Sequence, residues 1–351
     1  MEKLQQTIES IKPLDENAMA KAKERQDQLT KPRGSLGVLE SLSIKVAGIK
    51  GNPMPVIRDK AVIVVAGDHG VAEEGVSAYP QEVTAQMVYN FLAGNAGINV
   101  LARHEGIRIT VVDAGIISEI PPDNNLVIEK IGHGTNNIAK GPAMTREQAI
   151  LSLESGISLA IKEKEKGLDI IGAGDMGIAN TTPSTAIASV CTKKKVSKIA
   201  GLGTGISKEQ LKLKIKIIEK AIKINNPDSK DGIDILSKVG GFEIGTIAGI
   251  ILGAASIQIP VVIDGFISTA GALIAATLCP QVKSYMIAAH SSVESGHNIM
   301  LRFLGLQPVL DLKMRLGEGT GSALAMGIIE AACKILCEMK TFKEAGVSDK
   351  E

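Results

Sequence analysis

Short apolar runs that do not alternate constrain this fold more than any other feature of the chain. They are residues 61–65, 107–112, 168–171, 198–202, 260–263 and 285–288. A strand with one wet face alternates apolar and polar residues. A run that is apolar throughout suits a strand covered on both faces, and such strands build mainly parallel sheets. The intervening segments carry helical spacing, as in residues 145–166 with Ala149, Leu151, Leu153, Ile157 and Ile161. The pattern predicts an α/β fold, a mainly parallel sheet flanked by helices and joined by right-handed crossovers.

Each run breaks off into small or polar residues: Gly67-Asp68-His69, Asp113-Ala114-Gly115, Gly172-Ala173-Gly174-Asp175, Gly203-Thr204-Gly205, Asp264-Gly265 and His290-Ser291-Ser292. Ligands of open α/β sheets sit beyond the carboxyl ends of the strands. All these groups are therefore expected along one edge. Near the C-terminus, Arg315-Leu316-Gly317-Glu318-Gly319-Thr320-Gly321 sets one acid in a glycine-flanked turn ahead of a helical run at 322–339. That acid either complements the dipole of the helix it precedes or faces a ligand.

Composition removes several functions. A net charge of +1 provides no field for nucleic acid or an acidic membrane, and aromatic residues at 2% provide no stacking platform. Residues 1–12 have no apolar signal core. The most apolar stretch, 245–260, is too short for a membrane span and is broken by Gly249, Gly253 and Gln258. Cys191, Cys279, Cys333 and Cys337 read as free thiols of a reducing compartment, so the expected location is cytoplasmic. His104, His133, His290 and His297 are scattered without metal-ligand spacing. No metal and no cofactor are expected.

Several motifs admit more than one reading. Gly172-Ala173-Gly174-Asp175-Met176-Gly177 has the G-x-G-x-x-G form of a dinucleotide-binding turn, which raises an NAD-dependent dehydrogenase as an alternative. Against it, Asp175 puts a negative charge where a pyrophosphate would lie, and Lys193-Lys194-Lys195 stands where a ribose-binding acid belongs. Asn180-Thr181-Thr182 reads as a polar turn entering a helix, with an amide, hydroxyls and N–H groups suited to a sugar or monophosphate. Asp68-His69-Gly70 lacks a nucleophile elbow. Lys214, beside the apolar face of the helix at 207–224, is either a snorkelling surface residue or a phosphate ligand.

Taken in order, these motifs resemble the nicotinate-nucleotide–dimethylbenzimidazole phosphoribosyltransferase family. The matching segments are Lys31-Pro32 with Gly34-Ser35-Leu36-Gly37, Asp68-His69-Gly70-Val71, Asn136-Asn137-Ile138-Ala139 and Gly141-Pro142-Ala143-Met144. Then follow Ala179-Asn180-Thr181-Thr182-Pro183, Leu236-Ser237-Lys238-Val239-Gly240-Gly241-Phe242, Asp264-Gly265-Phe266 and Met314-Arg315-Leu316-Gly317-Glu318-Gly319. The resemblance implies transfer of the phosphoribosyl group of nicotinate mononucleotide to 5,6-dimethylbenzimidazole or a related base, with inversion at the anomeric carbon. Glu318 matches the family's catalytic glutamate and is the expected general base. Asp175 stands where the family pattern has Glu, one methylene longer, and is the expected supporting acid. Tyr79, Gln86, Met87 and Leu316 fall at base-binding positions. Gly177, Asn180, Thr181, Gly203, Lys214, Asp264 and Ser292 fall on the nucleotide side, with Ser292 and Lys214 as phosphate contacts. A non-catalytic nucleotide-binding accessory protein is the second alternative. The family fold implies a large Rossmann-like domain at 41–305, a small helical domain from 1–40 and 306–351, and a homodimer.

Overall fold

The computed structural model describes residues 1–203 and 205–348. Thr204, part of the fourth run's polar ending, lies outside the described residues. Seven strands form one sheet: β1 (Lys60–Gly67), β2 (Ile107–Gly115), β3 (Leu126–Ile128), β4 (Ile170–Met176), β5 (Val261–Ile263), β6 (Met286–His290) and β7 (Pro308–Leu310). The order is β3-β2-β1-β4-β5-β6-β7, and every strand pairing within this sheet is parallel. The chain reverses its direction of growth between β1 and β4, so the sheet has the switch point of a doubly wound fold.

The missing alternation in β1 has a direct structural reason. All eight of its residues are buried. Ala61, Ile63 and Val65 join one core, with Leu153 and Ile157 of helix Arg146–Glu165 and Ile247 and Ile251 of helix Phe242–Ser256. Val62, Val64 and Ala66 join the other, with Ile98, Ala323, Met326 and Ile329. Helix starts are written locally. Thr145 and Gln148 form a capping box ahead of Arg146, and Ser207 and Gln210 form another ahead of Lys208.

Two sequence expectations change. Residues 198–202 are not a strand. Val196–Ile199 is a short helix whose buried Val196 and Ile199 sit three apart, followed by a turn. A brief apolar run does not separate the two states. The Gly-rich motif at 172–177 does not follow its strand either: Gly172 and Gly174 lie inside β4.

The chain ends meet. Leu29 bridges Thr341, and Arg25 donates from Nε to Leu336 O (2.8 Å) and from Nη2 to Met339 O (3.2 Å). Helix Thr320–Glu338 is long and apolar enough to cross a membrane by length and composition. Its buried face instead belongs to the core that holds Val62 and Val64.

Candidate active site

A cavity of about 310 Å³ opens beyond the carboxyl ends of β4, β5 and β6. Tyr79, Asp175, Asn180, Thr181, Gly203, Ser292 and Leu316 line it, so the fold gathers seven of the sequence candidates. Lys214 stands directly behind the wall, where its Nζ donates to Thr181 Oγ1 at 2.6 Å. Gly177, Asp264 and Glu318 are buried and do not line it. Gln86 is exposed and Met87 packs against the core of the sheet's second face; neither reaches the cavity wall.

The turn carrying Glu318 is unusual backbone. Gly317, Glu318 and Gly319 all have positive φ, at 81°, 63° and 89°. A glutamate is strained in this left-handed conformation, so the surroundings must impose it. They do so through β4. A Cβ on Gly174 would overlap the Glu318 carbonyl and stand 2.5 Å from Gly319 N. A Cβ on Gly172 would come within 2.8 Å of Ser322 Cβ. The two glycines of the apparent dinucleotide motif thus let the 317–322 segment lie directly on the sheet. Being mid-strand, they form no phosphate-cradling turn, which removes the geometric basis of the dehydrogenase alternative.

Glu318 makes no cap on the helix it precedes. Asp264, fully buried at the end of β5, takes that duty: its Oδ2 accepts from Gly319 N (3.2 Å) and its Oδ1 from Ser322 N (2.9 Å). Glu318 is thereby released from structural work at its own helix. Its Oε2 accepts from Ile98 N at 3.1 Å, the first turn of helix Gly97–Glu105. Its Oε1 has no partner among the described residues. Burial raises the Glu318 carboxyl above its ordinary 4.5; the Ile98 N–H opposes this and the charge of Asp264 adds to it. Burial therefore outweighs the helix terminus.

Asp175 is buried at the end of β4. Its Oδ2 accepts from Asn180 Nδ2 at 2.9 Å, and its Oδ1 is buried without a partner among the described residues. Burial raises its pKa well above 3.8, reinforced by Asp264, Glu243 and Glu318 and opposed by Asn180. Burial thus favours the protonated form of Asp175 relative to a free carboxyl. Lys214 is also almost wholly buried, which lowers its ammonium to about 8, with Glu294 opposing that shift.

Ser292 is held by a relay that sequence reading missed. Its N–H donates to His297 Nδ1 at 3.0 Å. Thr269 Oγ1 donates to Gly265 O (2.6 Å), so it accepts from His297 Nε2 at 3.0 Å. His297 is therefore a neutral Nε2–H tautomer, in keeping with burial lowering its pKa to about 3. His290 and Arg315, from a polar strand ending and the glycine-flanked turn, also line the cavity, as does Glu294, which carried no sequence signal.

Comparison with known proteins decides what kind of site this is. A family model described as phosphoribosyltransferase matches residues 11–347. The chain belongs to this phosphoribosyltransferase family. A relative from Geotalea uraniireducens (strain Rf4), named nicotinate-nucleotide–dimethylbenzimidazole phosphoribosyltransferase, is 54% identical over 351 residues, all of both chains. One of the same name from Chloroflexus aurantiacus (strain ATCC 29366 / DSM 635 / J-10-fl) is 54% identical over 350 residues, with both chains fully covered. The crystal structure of CobT from Thermus thermophilus superposes with a TM-score of 0.92 at 43% identity, covering 95% of this chain and 100% of that one. An enzyme of the kind these relatives are named for must hold a ribose 5-phosphate and two aromatic bases in succession. The cavity offers the hydroxyls of Thr181 and Ser292, the guanidinium of Arg315, and the side chains of Tyr79 and Leu316.

Proposed function

We propose that this phosphoribosyltransferase moves the phosphoribosyl group of nicotinate mononucleotide to 5,6-dimethylbenzimidazole or a related base. One ring nitrogen attacks the anomeric carbon as the bond to the pyridinium nitrogen breaks, and that bond's electron pair leaves with nicotinate. The incoming ring is then cationic and loses its N–H proton to Glu318. The leaving group departs neutral at nitrogen and needs no acid, so one base suffices. The observation that carries this reading is Glu318 itself: a buried carboxylate at the sheet's ligand edge, freed from its own helix by Asp264, with one oxygen held and one available. The ribosyl centre gains positive charge in the transition state, which the same carboxylate stabilises.

The phosphate is assigned to Ser292, Lys214, Thr181 and Gly203, and the acceptor base to Tyr79 and Leu316. Asn180 and Asp175 are placed at the ribose. Asp264 is assigned a positioning role through Gly319 and Ser322. A homodimer in the cytoplasm completes the proposal. The test is a chromatographic assay of nicotinate release with a panel of benzimidazole, purine and phenolic acceptors. Nicotinate release that depends on an added base supports the reading; nucleotide binding with no release under any acceptor would reduce the protein to the accessory alternative.

Two variants examine the assignments. Lys214→Ala should raise KM for nicotinate mononucleotide ~10–100-fold with less change in kcat, as expected for a lost charge-assisted contact. Steady-state kinetics over a nucleotide series gives the answer. Asp175→Asn should lower turnover less than any change at Glu318, and it should stabilise the fold. Burial favours the protonated carboxyl of Asp175 in the folded chain, so its folded pKa lies well above the ordinary 3.8. Its contribution to stability is full below 3.8 and is lost as pH rises toward the folded value. Asn keeps the shape without that loss, so the variant should gain roughly 2–4 °C in Tm per kcal/mol recovered. Thermal unfolding from pH 4 to 8 should show the gain growing with pH.

A further inference from the structure

Glu294 lines the cavity but has no part in the roles above. It sits between β6 and helix His297–Leu304, half-buried, flanked by exposed Val293 and Ser295. Its carboxylate lies against the 201–203 backbone. A Cβ on Gly201 would overlap Oε2 and stand 3.0 Å from Cδ, so only glycine admits the acid there. Its own N–H donates to Ser292 Oγ at 3.3 Å.

The groups around that carboxylate are those a phosphate monoester requires. Lys214 Nζ is fixed on Thr181 Oγ1, and a Cβ on Gly203 would lie 3.5 Å from the same nitrogen. Arg315 Nη1 is fixed on Gly203 O at 2.9 Å. The Gly203 N–H and both cations act favourably on the Glu294 carboxylate, yet burial still raises its pKa. The acid thus stands beside the anion-binding groups of the cavity, with no ion pair to either cation among the described residues. Backbone N–H groups, a lysine and an arginine around one anion form the recurring phosphate-recognition set.

We propose that Glu294 is an internal stand-in for the substrate's phosphate. Its carboxylate lies against the 201–203 backbone and offsets the charges of Lys214, held by Thr181, and Arg315, held by Gly203 O, while the site is empty. It withdraws toward solvent when the nucleotide's phosphate takes its place. This rests on the phosphate assignment to Ser292 and Lys214. The benefit is a preformed anion site; the cost is competition, since two anions cannot share it.

The test is calorimetric binding of nicotinate mononucleotide, without acceptor base, to the whole protein and to Glu294→Gln, Glu294→Asp and Lys214→Ala. Glu294→Gln should bind the nucleotide about tenfold more tightly, the scale of one like charge removed from a partly buried site. Glu294→Asp keeps the charge and should stay closer to the unmodified protein. With nicotinate riboside, which lacks the phosphate, the gain should vanish. Unchanged or weaker nucleotide binding by Glu294→Gln, alongside weakened binding by Lys214→Ala, would overturn the stand-in and leave the phosphate assignment intact. Lys214→Ala with undiminished binding would instead remove the phosphate assignment, and the stand-in with it. An equal gain for the riboside would also overturn the proposal, because the displaced group would then not be competing with phosphate.

Discussion

Replacing Glu318 with Gln should leave the fold and nucleotide binding intact and cut turnover about 10²–10⁴-fold, the usual contribution of a positioned general base. The amide keeps the side chain's size and can still accept from Ile98 N–H through its oxygen. It cannot take a proton from the incoming base. The pH dependence carries the same assignment. Glu318 must be ionised to act, and burial places its pKa above 4.5. Activity of the unmodified protein should therefore fall on the acid side with a midpoint above that value. The groups facing Glu318 are Asp264, whose charge raises it, the Ile98 N–H, which lowers it, and Asp175, whose own pKa burial also raises. In Glu318→Gln the acid limb assigned to this group should disappear. Single-turnover nicotinate release across pH 4 to 8 measures both effects, and a variant that keeps the limb and the rate would remove Glu318 from the chemistry.

Gly174→Ala should be the most damaging single methyl group in the site. Its Cβ would overlap the Glu318 carbonyl. Neither partner has room to yield. Gly174 is paired in register with Val64 of β1, and a Cβ on Gly319 would already stand 2.6 Å from Val62 Cγ1. Either the protein loses about 3 kcal/mol or more of stability to the overlap, or the 317–319 turn lifts off β4 and carries Glu318 with it. A displacement of about 1 Å costs on the order of 10²-fold in rate. Gly141→Ala is the matched control, since a Cβ there meets nothing within 4 Å. Urea unfolding and nicotinate release on both variants give the comparison. If Gly174→Ala behaves like Gly141→Ala, the packing explanation of the Glu318 backbone is wrong.

The central strands were legible because burial on both faces leaves an uninterrupted apolar run, as in β1. The edge strands were not. Leu126–Ile128 and Pro308–Leu310 have three residues each and are largely only half-buried or exposed, so they carry no such run. Residues 198–202 misled for the opposite reason: the end of a short helix and the turn after it look as apolar as a strand. At the site, sequence motifs located Asp175, Asn180, Thr181, Ser292 and the glutamate turn. They did not reveal that Asp264 caps a helix beginning more than fifty residues later, or that Gly174 exists to admit Glu318. Nor did they show that His297 and Thr269 hold Ser292. Those relations join strand ends and helix starts far apart in the chain, and no local pattern encodes them. The Gly-rich motif shows the hazard of local reading, since Gly172 and Gly174 lie within β4 and admit the 317–322 segment onto the sheet.

The general base is most directly tested by a crystal of the protein soaked with 5,6-dimethylbenzimidazole. A ring nitrogen should lie about 3 Å from a carboxylate oxygen of Glu318, with the ring between Tyr79 and Leu316. A ring well ordered in the cavity, with Glu318 still bound only to Ile98 N–H and out of reach of both nitrogens, would contradict the mechanism.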